Sequence, residues 1–147
     1  MTSSADDYLA RFKGSFISAM RWEQLDRLWT NLRDRADRGW YLYAVGEPPP
    51  EQCADAARVE RFISGIDELL RREHDEDYCG IVYADDMENP TFIKIFDPNN
   101  LGVSCGFSDN PPLPGWVMSL VPPIDLQAAM PPPANRRRWW QKLLHAS

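Results

Sequence analysis

Histidine is scarce in this chain of 147 residues, and several familiar catalytic and nucleotide-binding motifs are missing from it. His74 and His145 are the two imidazoles, which limits acid–base chemistry based on histidine. The sequence contains no His-Glu-x-x-His zinc motif, no Gly-x-x-x-x-Gly-Lys-Ser/Thr phosphate loop and no Gly-x-Gly-x-x-Gly turn. We therefore expect no bound metal, no cofactor and no catalytic residue of these common types.

Long apolar runs are also missing, and the first residues do not predict a secretory leader. Asp6 and Asp7 fall where a signal peptide carries positive charge. No stretch approaches the roughly 18 consecutive apolar residues of a membrane span. Cys53, Cys79 and Cys105 are odd in number and contain no Cys-x-x-Cys pair, so a disulfide framework is not expected. These features predict a cytoplasmic protein without integral membrane association, whose thiols are reduced and mostly buried.

Basic residues are the minority charge. The chain has 16 Lys and Arg against 22 Asp and Glu, a net charge of −6, so nucleic acid is not an expected partner. Hydrophobic residues make up 44% of the chain and aromatic residues 12%. This is enough for the core of one globular domain, which we place at residues 1–130. Most of the 13 prolines follow residue 89, which predicts a turn-rich, proline-rich C-terminal extension.

The apolar pattern predicts helices in the first half of the chain. Apolar residues from Tyr8 to Met20 share one helical side, whereas those within residues 22–32 lie about half a turn away. One straight helix cannot bury both stripes, so we expect two helices with a break within residues 14–21. Apolar spacings of three and four predict a long central helix over residues 51–73.

Four stretches rich in β-branched and aromatic residues predict strands, at 40–45, 79–84, 91–96 and 116–121. A short polar connection joins the second and third, which favours an antiparallel hairpin. The strand–helix–strand order favours a right-handed parallel crossover between the first two. Bulky residues on both faces of the first favour a central position. The sequence therefore predicts an α+β domain in which helices pack on a small mixed sheet of three to four strands.

The expected hairpin brings the start of its first strand close to the end of its second. Oxygen and nitrogen donors at that edge are suited to a divalent cation or to acid–base work. These candidate ligand-site residues are His74, Asp77, Asp97, Asn99 and Asn100. Asp and Asn also start turns by bonding their own backbone, which is the commoner role. Cys105 could join His74 as a nucleophile and base, although a buried, inert cysteine is the more frequent outcome.

The C-terminal segment, residues 131–147, differs in charge from the rest of the chain. Three prolines precede a stretch with four basic residues and no acid, in which apolar pairs at i, i+4 predict a short helix. We call residues 135–147 the Arg/Trp tail. Its candidate partner-binding residues are Arg136, Arg137, Arg138, Trp139, Trp140, Leu143 and Leu144.

Three destinations for the Arg/Trp tail follow from its chemistry. The tail could dock on its own domain or on a second copy, with the tryptophans in a groove and the arginines facing acidic residues. It could dock on a separate protein as an amphipathic helix. It could also lie on an anionic membrane surface, although three turns bind membranes weakly and the acidic body opposes approach. The sequence favours a non-catalytic interaction module, and a small enzyme or ligand-binding protein using the hairpin edge is the alternative.

Overall fold

A computed structural model describes residues 4–100 and 113–129, which contain four α-helices and five strands. The helices are α1 (Ser4–Phe12), α2 (Trp22–Arg33), α3 (Ala56–Glu73) and α4 (Leu126–Ala129). The strands are β1 (Ile17–Ser18), β2 (Tyr41–Ala44), β3 (Val82–Ala84), β4 (Phe92–Ile95) and β5 (Trp116–Ser119), and a 3-10 helix spans Pro98–Asn100. The expected α+β class is confirmed. The segment 131–147 lies outside the described residues.

The sheet is antiparallel at every pairing, in the order β1-β3-β4-β5-β2. The β3–β4 hairpin was expected and is present. The parallel crossover was wrong, because β2 and β3 are not neighbours and the later strand β5 lies between β4 and β2. The expected count of three to four strands was also too low, because the two-residue strand β1 pairs with β3 through Ile17 and Ala84.

Strand β2 lies at an edge of the described sheet and not at its centre. Its bulky residues are nevertheless covered on both faces. Trp40, just before the strand, is fully buried with Leu25 and Ile63 from the helices. Tyr43 is buried on the opposite face, where its hydroxyl accepts a hydrogen bond from the backbone N–H of Leu126 at 3.2 Å. Covered faces therefore misled the assignment of strand position.

The sheet separates two layers of core. Helices α2 and α3 pack on one face, where Trp29 is buried together with Ile93 and Ile95 of β4. Helix α1 and α4 pack on the other face, around Phe92 and Tyr43. Consecutive side chains along β4 lie in opposite layers, because successive residues of a pleated β-strand point to opposite faces of the sheet. The apolar stripe within residues 22–32, which forms α2, is therefore part of the core.

The break between the first two helices lies where the apolar pattern predicts it, whereas the start of the third helix differs from the prediction. The break between α1 and α2 is confirmed, and it contains β1. Helix α3 begins at Ala56, five residues later than expected, because Asp55 is its N-cap and accepts the backbone N–H of Arg58 at 2.8 Å. Gly39 has φ +90°, a left-handed conformation that favours glycine, and it lies after the end of α2 at Arg33.

Candidate interaction surface

His74, the central residue of the predicted ligand site, is a packing and bridging residue. It follows α3 directly, is half-buried, and its Nε2 donates a hydrogen bond to the carbonyl oxygen of Cys79 at 2.9 Å. Its ring also meets the rings of Trp22 and Tyr78 edge to face, with centroids 6.2 and 6.0 Å away. These contacts hold the loop after α3 against the start of α2.

The carboxylates and amides of the predicted site serve the backbone or face solvent. Asp97 follows β4 and its Oδ1 accepts the backbone N–H of Asn99 at 2.9 Å, which starts the 3-10 helix. Asp77 is exposed in the loop after α3. Asn100 ends the 3-10 helix, and its side chain lies outside the described part. Over residues 4–100 and 113–129, no three His, Cys, Asp or Glu side chains are grouped so that they could hold a metal ion.

The acidic turn between β3 and β4 is built by its own carboxylates. Asp85 accepts the backbone N–H groups of Thr91 and Phe92 at 2.9 and 3.1 Å, and also the Thr91 hydroxyl. Asp86 accepts those of Glu88 and Asn89 at 2.8 and 2.9 Å, and these bonds lower the pKa of its carboxyl. The carboxylates of this turn are thus committed to folding and are poor candidates for catalysis.

The cysteines divide by burial. Cys79 is buried, and burial raises the pKa of its thiol, which makes it a poor nucleophile. Cys53 is exposed, so the expectation of mostly buried thiols was wrong at this position. Cys105 and its proposed pairing with His74 lie outside the described residues.

The sequence contains one motif with the residue spacing of a serine-hydrolase active site. Residues 102–106 read Gly-Val-Ser-Cys-Gly and match the Gly-x-Ser-x-Gly spacing of a nucleophile elbow. That elbow needs a strand before the serine and a helix after it. The serine and the residues next to it on both sides lie outside the described residues, so no strand or helix is established there. The spacing alone does not support a hydrolase.

Three large apolar side chains are exposed at the β1 edge of the sheet. Ile17 is 55% exposed, Met20 51% and Tyr78 50%, and these are the large exposed hydrophobic residues of the described chain. Met20 and Tyr78 flank Gly80, where an added β-carbon would lie 3.8 Å from the Met20 sulfur and 3.2 Å from the Tyr78 ring. We call Ile17, Met20 and Tyr78 the β1-edge surface.

The backbone fixes the β1-edge surface in place. The N–H of Cys79 donates to the carbonyl of Met20 at 2.8 Å, and the N–H of Gly80 donates to that of Ala19 at 3.0 Å. The indole N–H of Trp22 donates to the carbonyl of Glu76 at 3.1 Å. The loop that carries Tyr78 is therefore bonded to the segment that carries Met20.

Open backbone and unpaired acids border the β1-edge surface. Within the described residues β1 pairs on one side only, with β3, so its outer side is an edge. The adjoining loop contains exposed Asp75, Glu76 and Asp77. Their carboxylates form no ion pair with any residue in the described ranges. The surface thus combines an apolar centre with negative charge.

Sequence reasoning did not identify this surface. Met20 was assigned to the stripe that starts at Tyr8, but α1 ends at Phe12, so that periodicity does not extend to residue 20. Tyr78 falls between the predicted helix over residues 51–73 and the predicted strand at 79–84. The one local signal was Gly80, which has φ +71° and lies next to both side chains.

A groove lies at the opposite edge of the sheet, beside β2. It has a volume of about 350 Å³ and is lined by Leu42, Pro50, Glu51, Gln52, Ala54 and Arg58. Its polar side chains are exposed, and none is buried and aimed into the groove. A ligand site of the enclosed kind needs such convergent polar groups, so the geometry does not favour one here.

The chain matches no protein-family model, no curated protein and no solved structure. In the described ranges, none of the helices has the length and apolar character needed to cross a bilayer. Function therefore has to be argued from the surfaces themselves.

Proposed function

We propose that the protein is a non-catalytic interaction module of the cytoplasm, which binds a protein partner or a second copy of itself. The exposed apolar β1-edge surface is the observation that carries this proposal. Exposed Ile, Met and Tyr side chains grouped at an open strand are typical of protein-binding surfaces. The Arg/Trp tail supplies a second binding element, because Trp and Arg dominate interface hot spots.

The contacts of the candidate catalytic groups support this choice over an enzyme. His74 bonds a backbone carbonyl, Asp97 starts a turn and Asp85 closes a hairpin. A catalytic acid or base needs a proton-donating or proton-accepting atom that is free to reach a substrate. The β1-edge surface, in contrast, presents three large apolar side chains that are each about half exposed.

A photo-crosslinking amino acid at position 20 tests the proposal in cells. We expect adducts of defined mass, formed by a partner or by a second copy, because a stable contact holds one species next to the probe. The matched control carries the same probe at Glu47, which is exposed beside β2. The proposal would be wrong if both positions gave the same pattern of adducts. It would also be wrong if position 20 gave no adduct either in the full chain or in a chain lacking residues 134–147.

A further inference from the structure

We infer that Met20 is an oxidation switch for the β1-edge surface: a hydroperoxide converts its thioether to a sulfoxide, and the sulfoxide weakens binding of the partner. This inference rests on the proposed function and names a regulation of the same surface. Three observations lead to it, namely the exposure of the Met20 side chain, a hydroxyl group that donates to its sulfur, and its place in the apolar centre of the surface.

Within the described residues, Met20 is the methionine whose side chain is most open to solvent. It is 51% exposed, whereas Met118 is fully buried and Met87 packs partly buried against the core. A hydroperoxide has to contact the sulfur in order to oxidise it, so the rate of oxidation follows exposure. We therefore expect Met20 to be oxidised well before the other two.

The Ser18 hydroxyl gives the sulfur a defined environment. It donates a hydrogen bond to the Met20 sulfur, with an Oγ to Sδ distance of 3.4 Å. A thioether sulfur is only a weak acceptor, whereas the oxygen of a sulfoxide is polar and accepts strongly, so the same hydroxyl suits the oxidised side chain. The hydroxyl lies beside one of the two lone pairs of the sulfur. The two epimers of the sulfoxide should therefore form in unequal amounts.

The chemical step is a two-electron transfer of oxygen that balances without any further reactant. A lone pair of the Met20 sulfur attacks one oxygen of hydrogen peroxide, the O–O bond breaks and an S–O bond forms. The proton of the transferred oxygen passes to the departing hydroxide, which leaves as water. Sulfur is oxidised and the peroxide is reduced. A methionine sulfoxide reductase reverses the step with two thiols, which become a disulfide while the oxygen leaves as water.

Oxidation places a polar oxygen in the middle of an apolar contact. Ile17 and Tyr78, the other members of the surface, are equally exposed and stay apolar. A partner that covers Met20 has to bury the new oxygen, and Ser18 satisfies only part of its capacity to accept hydrogen bonds. The backbone cannot turn the side chain away, because the N–H of Cys79 holds the carbonyl of Met20 at 2.8 Å. The sulfoxide should therefore weaken binding without unfolding the domain.

Limited oxidation of the full 147-residue chain with hydrogen peroxide tests the chemical half of the inference. Peptide mass mapping should show Met20 oxidised at least about tenfold faster than Met87 and Met118. Treatment with each of the two epimer-specific reductases should reveal unequal epimers at Met20, and Ser18→Ala should bring them closer to equality. Oxidation of Met20 no faster than that of Met118 would overturn the inference.

Crosslinking of the oxidised chain tests the effect on binding. The photo-crosslinking amino acid replaces Ile17, which leaves Met20 intact, and Cys53→Ser with Cys105→Ser removes two thiols that peroxide also attacks. The purified chain is oxidised, freed of peroxide and irradiated in cell extract. Position-17 adducts should fall at least about tenfold after oxidation and return after reductase treatment. Met20→Leu is the matched control, which keeps an apolar side chain and should retain its adducts after the same treatment.

The outcomes separate this inference from the proposed function. Adducts that persist on a chain whose Met20 is fully oxidised would overturn the switch and leave the proposed function standing. Equal loss of adducts from the Met20→Leu chain would place the sensitivity to peroxide elsewhere and would also overturn the switch. The absence of adducts at positions 17 and 20 before any oxidation would remove both the switch and the proposed function.

Discussion

The ammonium nitrogen of Lys94 lies 4.0 Å from the centre of the Phe16 ring and 4.3 Å from that of Phe12. It lies on the α1 side of the sheet, next to Tyr83 and Val117 on the neighbouring strands. In the described ranges no carboxylate forms an ion pair with it. Burial lowers the pKa of Lys94 to about 8. Within the described residues, aromatic rings are therefore what balances this partly desolvated cation.

This arrangement predicts an unusual dependence of stability on pH. The folded pKa of about 8 lies below the ordinary 10.5, so between these values the unfolded chain binds more protons than the folded chain. The Lys94 contribution to the free energy of unfolding should rise with pH across this window. Lys94→Met should stabilise the protein at pH 7 by about 1 kcal/mol, a figure already discounted for solvent screening at a half-buried site. Urea unfolding of both proteins measures this.

The comparison with Lys94→Met isolates the lysine from other titrating groups. Burial raises the pKa of Cys79 and of Tyr43. Each of these groups therefore lowers the free energy of unfolding as the pH rises above its pKa in the unfolded chain. Their effects cancel in the difference between the two proteins. A variant less stable than the native chain at pH 7 would show that attraction to the rings outweighs desolvation.

Asp67 connects the two helices of one layer. Its Oδ1 accepts the indole N–H of Trp29 at 3.0 Å and the Nε of Arg71 at 2.9 Å. Asp67→Ala should lower the free energy of unfolding by about 1–3 kcal/mol, because the buried indole loses its acceptor. Glu68→Ala is the matched control, since its contact with Arg72 is exposed and 3.9 Å long. Equal losses from the two substitutions in chemical denaturation would contradict this reading.

Asp85 determines the hairpin turn. Asp85→Ala removes the acceptor of the Thr91 and Phe92 backbone N–H groups, so we expect a loss of about 2–3 kcal/mol. Glu88→Ala should be close to neutral, because its carboxylate is exposed and the turn uses only its backbone. Thermal unfolding of both variants provides the comparison, and a stable Asp85→Ala chain would argue against a carboxylate-built turn.

Thiol reactivity should distinguish the two described cysteines. In a Cys105→Ser chain, Cys53 should react quickly with a maleimide, whereas Cys79 should react only as the protein opens. The buried thiol should gain reactivity in urea in parallel with unfolding. Rapid modification of both thiols under native conditions, seen by intact mass, would contradict the burial of Cys79.

Local patterns predicted the helices better than the order of the strands. The stripe from Val59 to Leu70 identified α3, and the change of phase near Gly14 identified the break between α1 and α2. Strand order depends on which distant segments meet, and β5 pairs with β2 although about half of the chain separates them. The two-residue strand β1 is too short to show alternation, so no periodic signal marks it.

The candidate site was less predictable than the fold. The predicted hairpin correctly brought the ends of β3 and β4 together, and Asp97 takes the turn-starting role that the sequence offered as the commoner alternative to a ligand site. Exposure of Met20 depends on where α1 ends and on the conformation of Gly80, and neither is encoded as a periodic pattern. Charge asymmetry in the Arg/Trp tail was visible in the sequence, and its function stays a prediction.

The position of β2 has a consequence for synthesis on the ribosome. Its only strand partner among the described residues, β5, follows about 70 residues later. At ordinary translation rates the emerging chain waits about 4–14 s for that partner. During this interval Trp40 and Tyr43 have no completed sheet to enter, which makes this stretch a natural target for a nascent-chain chaperone.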